Sequence, residues 1–239
     1  MALYVMQWFQ AKQPIKKMRN LFNKRKMKAG IIFICTAAAL VVFTTSATVT
    51  DQEKQTYRIA EIGKQSWMVE NLNVSFYRNG DSIPQVKNAA VWAKLKTGAW
   101  CYYDNKKENG VKYGKLYNWY AVNDPRGLAP VGFHIPNDEE WNQLSYQLGG
   151  DLVGAKIKTK RGWKENENGN NEVGFSALPG GYRYGIGPFL YAGNNGCFWS
   201  ATESKDGKAW GRTLGSNYSD LGRDDGSKAS GLSVRCVVN

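Results

Sequence analysis

The stretch GFHIPNDEEW, residues 132–141, holds the only histidine of a 239-residue chain. His134 precedes three consecutive acids, Asp138, Glu139 and Glu140. An imidazole beside carboxylates can move protons or bind a metal. The spacing favours another use. Asn137 is a good N-cap, and Glu140, three residues on, is the N3 partner of a capping box. Asp138 and Glu139 then fall in a first helical turn, where the dipole favours negative charge by about 0.3–1 kcal/mol each. Trp141, Leu144 and Leu148 follow at i, i+3 and i+7 and make one apolar face, and Gly149-Gly150 ends it. Each acid therefore starts a helix, and His134, alternating with Phe133 and Ile135 in an extended piece, is a structural side chain. A single histidine excludes zinc sites built on two or three of them, and no serine or cysteine nucleophile stands near it for a triad.

The other reactive types are cysteines and aspartates. Cys101, Cys197 and Cys236 follow the apolar leader that contains Cys35. Three is an odd number for an oxidising compartment, so one disulfide and one leftover thiol is the simplest account, and the sequence leaves all three pairings open. Cys197 has no sequence neighbour, His or Lys, to lower its pKa and make it reactive. Asp220, Asp224 and Asp225 in YSDLGRDDGSK form an oxygen-rich loop of the kind that can hold Ca²⁺, but the spacing is not that of an EF-hand, and a solvated turn is the stronger reading. NENGNNE, residues 166–172, reads as a mobile loop. Gly185 and Gly187 do not make a phosphate loop, because Pro188 stands where its helix would start. What remains is an abundance of Trp, Tyr, Gly and Asn. Tyr182, Tyr184, Phe189, Tyr191 and Trp210 lie in or near glycine-rich loops, and Trp199 lies in FWSATE. Rigid rings on loops make contact surfaces at low entropy cost. Any one of them reads as a core ring, whereas the set implies an exposed platform.

Elements must position these residues. Residues 1–28 carry eight of the 32 basic side chains and no acid, which leaves 24 basic against 20 acidic residues in the rest. The body is nearly neutral, and this distribution argues against a nucleic-acid partner. A charge-free apolar run from Ala29 to Thr50 follows the basic leader. It reads as a signal peptide cleaved after Ala47 or as an uncleaved signal anchor, with Met1, Met18 or Met27 as the start. Either way the remainder is sent outward, with membrane contact only through the N-terminal segment. Residues 48–55 read as a polar linker and residues 56–239 as one domain. TYRIAEI and QSWMVENL read as strands joined by a turn at Gly63-Lys64. Residues 87–98 read as a helix capped by Asn88 and stopped by Gly98. Asn109-Gly110 reads as a turn, KLYNWYAV as strand or short helix, and GLSVRCVVN as one closing strand. The fold class is α+β, with two helices and many short antiparallel strands.

Several segments in order, IGKQSWMVENLNV, GAWCYYDN, YGKLYNWYAVNDPRGLAPVGFHIPNDEEW, GFSALPGGYRY and FWSATE…GLSVRCV, resemble the Fibrobacter succinogenes major paralogous domain, FISUMP, from about Tyr57 to the C-terminus. That resemblance implies an exported bacterial protein, secreted or held at the cell envelope. FHIPNDEEW with AWGR and the final GLSVRC is similar, more distantly, to the formylglycine-generating-enzyme-like branch of the C-type-lectin-like fold. This implies two helices packed on a twisted, loop-rich antiparallel β core that carries variable binding loops. The catalytic cysteine pair of those enzymes has no match between Trp210 and Gly231, and neither lectin calcium motif, Glu-Pro-Asn nor Gln-Pro-Asp, occurs. The family pattern has cysteines at the positions of Cys101 and Cys236, which implies a Cys101–Cys236 disulfide and a free, buried Cys197. The expected function is a non-catalytic binding module at the cell surface, recognising polysaccharide or a surface protein and needing no cofactor. The alternatives are a divergent enzyme using Cys197 and His134, and a structural part of a surface assembly.

Overall fold

The computed structural model describes residues 47–239 other than Asp206. The leader reading, with its cleavage and anchor alternatives, falls on residues 1–46, outside the described residues. Among the described residues no helix is long and apolar enough to cross a membrane.

The first strand, β1 (Thr48–Thr50), pairs antiparallel with β2 (Thr56–Ile62). Residues 48–50 were expected to be linker. Asp51 explains why they are a strand. Its buried carboxylate accepts hydrogen bonds from the backbone N–H of Glu53 and Gln55 and from the Tyr57 hydroxyl, which folds the chain back on itself. A turn at Gly63, φ 61°, leads into β3 (Gln65–Met68) as expected. Helix α1 (Ala89–Trp92) starts where predicted, with Asn88 accepting from the Val91 N–H, but it lasts only four residues. Its Trp92 is drawn into the interior, where the indole N–H donates to Ala229 O. Gly98 is not its stop. A side chain there would strike the Tyr77 hydroxyl and Ala121, so the glycine serves close packing.

Strand β4 (Trp100–Cys101) precedes α2 (Lys107–Tyr113), which contains the Asn109-Gly110 pair read as a turn. Gly110 is there because any side chain would collide with the Tyr102 ring. KLYNWYAV is both things in succession, β5 (Leu116–Asn118) and α3 (Trp119–Val122). Asn118 joins them, its Oδ1 accepting from Ala121 N–H as the cap and from Ala99 N–H across the sheet. Strand β6 (Phe133–His134) leads into α4 (Asp138–Gln147), where both bonds of the capping box are made: Glu140 N–H to Asn137 Oδ1, and Asn137 N–H to Glu140 Oε2. Trp141, Leu144 and Leu148 are buried as one face. A short helix α5 (Val153–Ile157) follows. The NENGNNE segment is tied down. Asn168 Oδ1 accepts from Trp163 N–H, and Asn171 holds Ser176 through both its backbone N–H and its hydroxyl.

Strands β7 (Tyr182–Arg183) and β8 (Phe189–Leu190) form a hairpin, and β9 (Asn195–Glu203), β10 (Lys208–Gly215) and β11 (Gly222–Ser227) form a meander. The predicted closing strand is two strands in different sheets, β12 (Gly231–Leu232) and β13 (Val237–Val238). The sheets run β1-β2-β3-β13-β6, β11-β10-β9 and β4-β5-β12-β7-β8, and all these strand pairs are antiparallel. The protein is thus mixed α and β, with few and mostly short helices against curled antiparallel sheets.

The crossover between β12 and β13 carries Arg235 into the interior. Its guanidinium donates to Met68 O, Phe175 O and Asn71 Oδ1 and lies over the Phe175 ring at 4.4 Å. Burial lowers its pKa to about 9, which still leaves it charged at neutral pH. A buried cation held only by neutral oxygens joins three separate segments, which explains the break in the final strand.

The expected Cys101–Cys236 disulfide is not formed, and all three described cysteines are free and buried. Cys101 packs with Trp92, Ala99 and Leu116, whereas Cys236 belongs to the larger cluster around Tyr57, Tyr117 and Trp199. Burial pushes each thiol up to about 12, so both behave as small apolar groups. The urea midpoint is therefore expected to be the same with and without reductant, and thiol titration of unreduced, denatured protein should find these cysteines free. A midpoint that drops on reduction would show a bridge instead.

Candidate functional site

The β9–β10–β11 meander forms one side of a cleft of about 430 Å³, within the range of about 300–1,000 Å³ usual for small-ligand sites. Alternation along β9 turns Asn195, Cys197 and Trp199 to the cleft. Register then decides what β10 and β11 contribute. Thr213 stands opposite Cys197, Gly211 opposite Trp199, and Asp224 opposite Gly211. Gly211 cannot take a side chain without crowding Phe198 O at 3.1 Å, and Gly226 lies against the Trp199 ring edge, where a Cβ would sit at 3.5 Å. Two strands without side chains at these points leave the floor open.

The opposite side is the β7–β8 hairpin and the turn after it, which bring Tyr182, Tyr184 and Tyr191, while Ser230 comes just before β12 and Leu232 from within it. The Tyr182 and Tyr191 rings lie 6.1 Å apart, tilted by 33°. Tyr184 and Tyr191 are 45% and 55% exposed. Tyr191 adopts φ 63°, a left-handed conformation unusual for a bulky residue. The backbone N–H groups of Asn194 and Asn195 both donate to Tyr191 O and hold it there. Such a conformation costs on the order of 1–3 kcal/mol and tends to persist where function needs the side chain.

The charged residues lining the cleft are Lys208, Asp224 and Asp225. Asp225 is engaged: Lys208 Nζ lies 3.0 Å away and Ser204 Oγ 3.1 Å away, and these bonds hold its carboxyl below the usual range. Asp224 makes no ion pair and no side-chain hydrogen bond among the described residues. Cys197 is buried, with its thiol pushed up to about 12 by desolvation, only partly countered by a hydrogen bond with Thr213. It is a protonated, apolar part of the floor.

Of the six rings picked out in the sequence, Tyr182, Tyr184, Tyr191 and Trp199 meet here. Trp199 does so as a fully buried floor residue, its indole N–H donating to Tyr117 O. Phe189 and Trp210 do not line the cleft. Phe189 packs on Tyr103 at 5.4 Å and under the Arg183 guanidinium at 4.9 Å. The Trp210 ring is covered by Arg223 at 3.3 Å. The calcium candidates do not converge. Asp224 and Asp225 line the cleft, Asp225 is taken by Lys208, and Asp220 is an exposed loop residue outside the lining. Among the described residues no group of three or more His, Cys, Asp or Glu side chains could hold a metal ion. His134 is not at the cleft. Its Nε2 donates to Glu140 at 2.6 Å and its Nδ1 lies 3.0 Å from Asn239 Oδ1, which ties the capping box to the last residue.

Sequence reasoning missed Asn195, Lys208, Gly211, Thr213, Gly226, Ser227 and Ser230. Asn195-Gly196 lies within β9, where Gly196 passes Leu178 O too closely for a side chain. Alternation along NGCFWSATE is the one signal that could have grouped Asn195 and Cys197 with Trp199.

A smaller depression, about 290 Å³, is lined by Arg58, Glu70, Asn71, Lys112 and others, with Tyr113 as its only aromatic lining residue, and Arg58 is paired with Glu70.

Fold and site together define an α+β module of curled antiparallel sheets that carries a tyrosine-walled cleft. The chain belongs to the Fibrobacter succinogenes major domain family, whose model matches residues 60–238. No curated protein and no solved structure shows a significant match.

Proposed function

We propose that the protein is an exported, non-catalytic binding module on a C-type-lectin-like scaffold, and that its cleft takes a saccharide unit of a surface polysaccharide. One observation carries this reading. Tyr182, Tyr184 and Tyr191 wall a cleft whose rim and floor offer Asn195, Ser227, Ser230 and Asp224. A sugar ring has apolar C–H faces that stack on aromatic rings and a belt of hydroxyls that needs donors and acceptors, and the cleft supplies both. The strained Tyr191 supports it, because a loop residue held in an unfavourable conformation with its ring half in solvent contributes little to packing.

The location outside the cytoplasm rests on the basic, apolar leader and on the family resemblance. The enzyme alternative needs Cys197 and His134 in one pocket. Cys197 lines the cleft as a protonated thiol, and His134 is held elsewhere by Glu140 and Asn239. A surface-protein ligand or a purely structural role remains as the outcome of a failed test.

The test is a polysaccharide and glycan array probed with the full chain and with Tyr191→Gly. The protein is expected to bind, and the variant to lose at least about tenfold in affinity while its stability is unchanged or rises by up to about 1 kcal/mol, since glycine relieves the left-handed strain. Chelator should change nothing. A blank array from folded protein, or equal binding by the variant, would overturn the reading.

A further inference from the structure

We infer that the saccharide held in this cleft carries a protonated amine, as in an amino sugar whose nitrogen is not acetylated; this rests on the saccharide reading above. Lys208 and Asp225 cancel across 3.0 Å, which leaves Asp224 as the only unbalanced charge among the lining residues. Arg212 and Arg223 share the one carboxylate of Asp138, at 2.8 and 2.9 Å, and neither forms an ion pair with Asp224. A ligand ammonium would give Asp224 the direct ion pair it lacks among the described residues. Asp224 offers it a charge-assisted hydrogen bond. The tyrosines add to it, because the faces of aromatic rings attract cations and the rings of Tyr182 and Tyr191 lie only 6.1 Å apart.

The same charges decide what is refused. A uronic acid would bring its carboxylate towards Asp224, and the one cation of the lining, Lys208, is already paired. A neutral sugar could use only the aromatic wall and the hydroxyl partners. An N-acetylated sugar is in the same position, its nitrogen uncharged. Specificity therefore comes from a repulsive element against anions as much as from an attractive one for cations.

The experiment is calorimetric titration of the full chain, wild type and Asp224→Asn, with four β-1,4-linked tetrasaccharides of glucosamine, N-acetylglucosamine, glucose and glucuronic acid. At low ionic strength the glucosamine tetramer is expected to bind at least about tenfold tighter than the two neutral ones, the worth of one charge-assisted hydrogen bond. Added salt narrows the gap. Asp224→Asn should erase the preference by bringing the glucosamine affinity down to that of the neutral tetramers. Its side chain is exposed and bonded to nothing among the described residues, so its thermal unfolding should match the wild type. Two outcomes overturn the inference and leave the saccharide reading standing. One is equal or tighter binding of a neutral or acidic tetramer, and the other is a preference for the amine that survives Asp224→Asn. Absence of binding by all four overturns both.

Discussion

Trp141→Ala is expected to lower the unfolding free energy by about 3–5 kcal/mol, the range for removing a large ring from a core that cannot fully collapse. The ring is completely buried and packs at 4.7 Å from Trp67, 5.8 Å from Phe198 and 6.1 Å from Phe175. It is the point where α4 meets both β3 and β9. Phe198, on the α4 side of β9, alternates with Cys197 and Trp199 on the cleft side, so loss of the indole also loosens the strand that floors the cleft. Trp141→Phe should be far milder. The Trp141 indole N–H is buried and has no acceptor among the described residues. Leaving such a donor unpaired costs about 1–3 kcal/mol, and phenylalanine removes that cost while giving up part of the volume. Urea midpoints of the two variants check this. If Phe were as damaging as Ala, the indole N–H would have to be hydrogen-bonded after all.

Asp138→Asn is expected to cost about 3 kcal/mol at neutral pH, at the lower end of what breaking a buried ion pair costs, because the acid is not fully buried. Asp138 is 15% exposed and Arg212 only 1%. The carboxylate bridges Arg212 on β10 and Arg223 on β11, and removing its charge leaves Arg212 buried without a counter-ion. Arg212 keeps bonds to Asp138 O and Asn142 Oδ1, which limits the damage. Burial alone would raise the Asp138 pKa, but the hydrogen bonds and charges of Arg223 and Arg212 outweigh it and hold the carboxyl below its ordinary value. A carboxyl with a folded pKa below the unfolded one lends its full stability above the unfolded value, about 3.9. That stability drains as pH falls through the lower folded value. The deficit of the variant should therefore be constant from about pH 5 to 7 and shrink below about pH 4. A deficit that stays constant to pH 2 would mean that Asp138 acts through shape and not through charge.

What could be read in the sequence was what local chemistry decides. The capping box at Asn137 and Glu140 needs only residues three apart, and it forms as written. The β2–β3 hairpin follows from alternation around a glycine at positive φ. Tyr184 and Tyr191 were legible as exposed rings, with Tyr182 half-buried beside them, because glycines stand close by in the sequence. The failures share a cause, which is contact between distant segments. Gly110 looks like a turn residue until the Tyr102 ring lies over it. Trp210 looks like a platform ring until Arg223 covers it. The closing strand is divided because Arg235 must reach Asn71, Met68 and Phe175. The polar half of the cleft depends on register between β9, β10 and β11, and a pairing shifted by one residue would turn Thr213 away from Cys197. The expected disulfide came from the family pattern, and the packing of the two cysteines in separate clusters is a tertiary fact that no spacing encodes.

The central claim is that the tyrosine-walled cleft is the binding site. Its most direct test is two-dimensional amide NMR of the protein titrated with the glucosamine or glucose tetrasaccharide, whichever binds. The account predicts that the largest shifts fall on Tyr184, Tyr191, Gly211, Thr213, Gly226 and Ser227, with His134 and Asn239 unmoved. Shifts centred on Arg58, Glu70 and Tyr113, at the smaller depression, or on the α4 surface with the cleft silent, would contradict it.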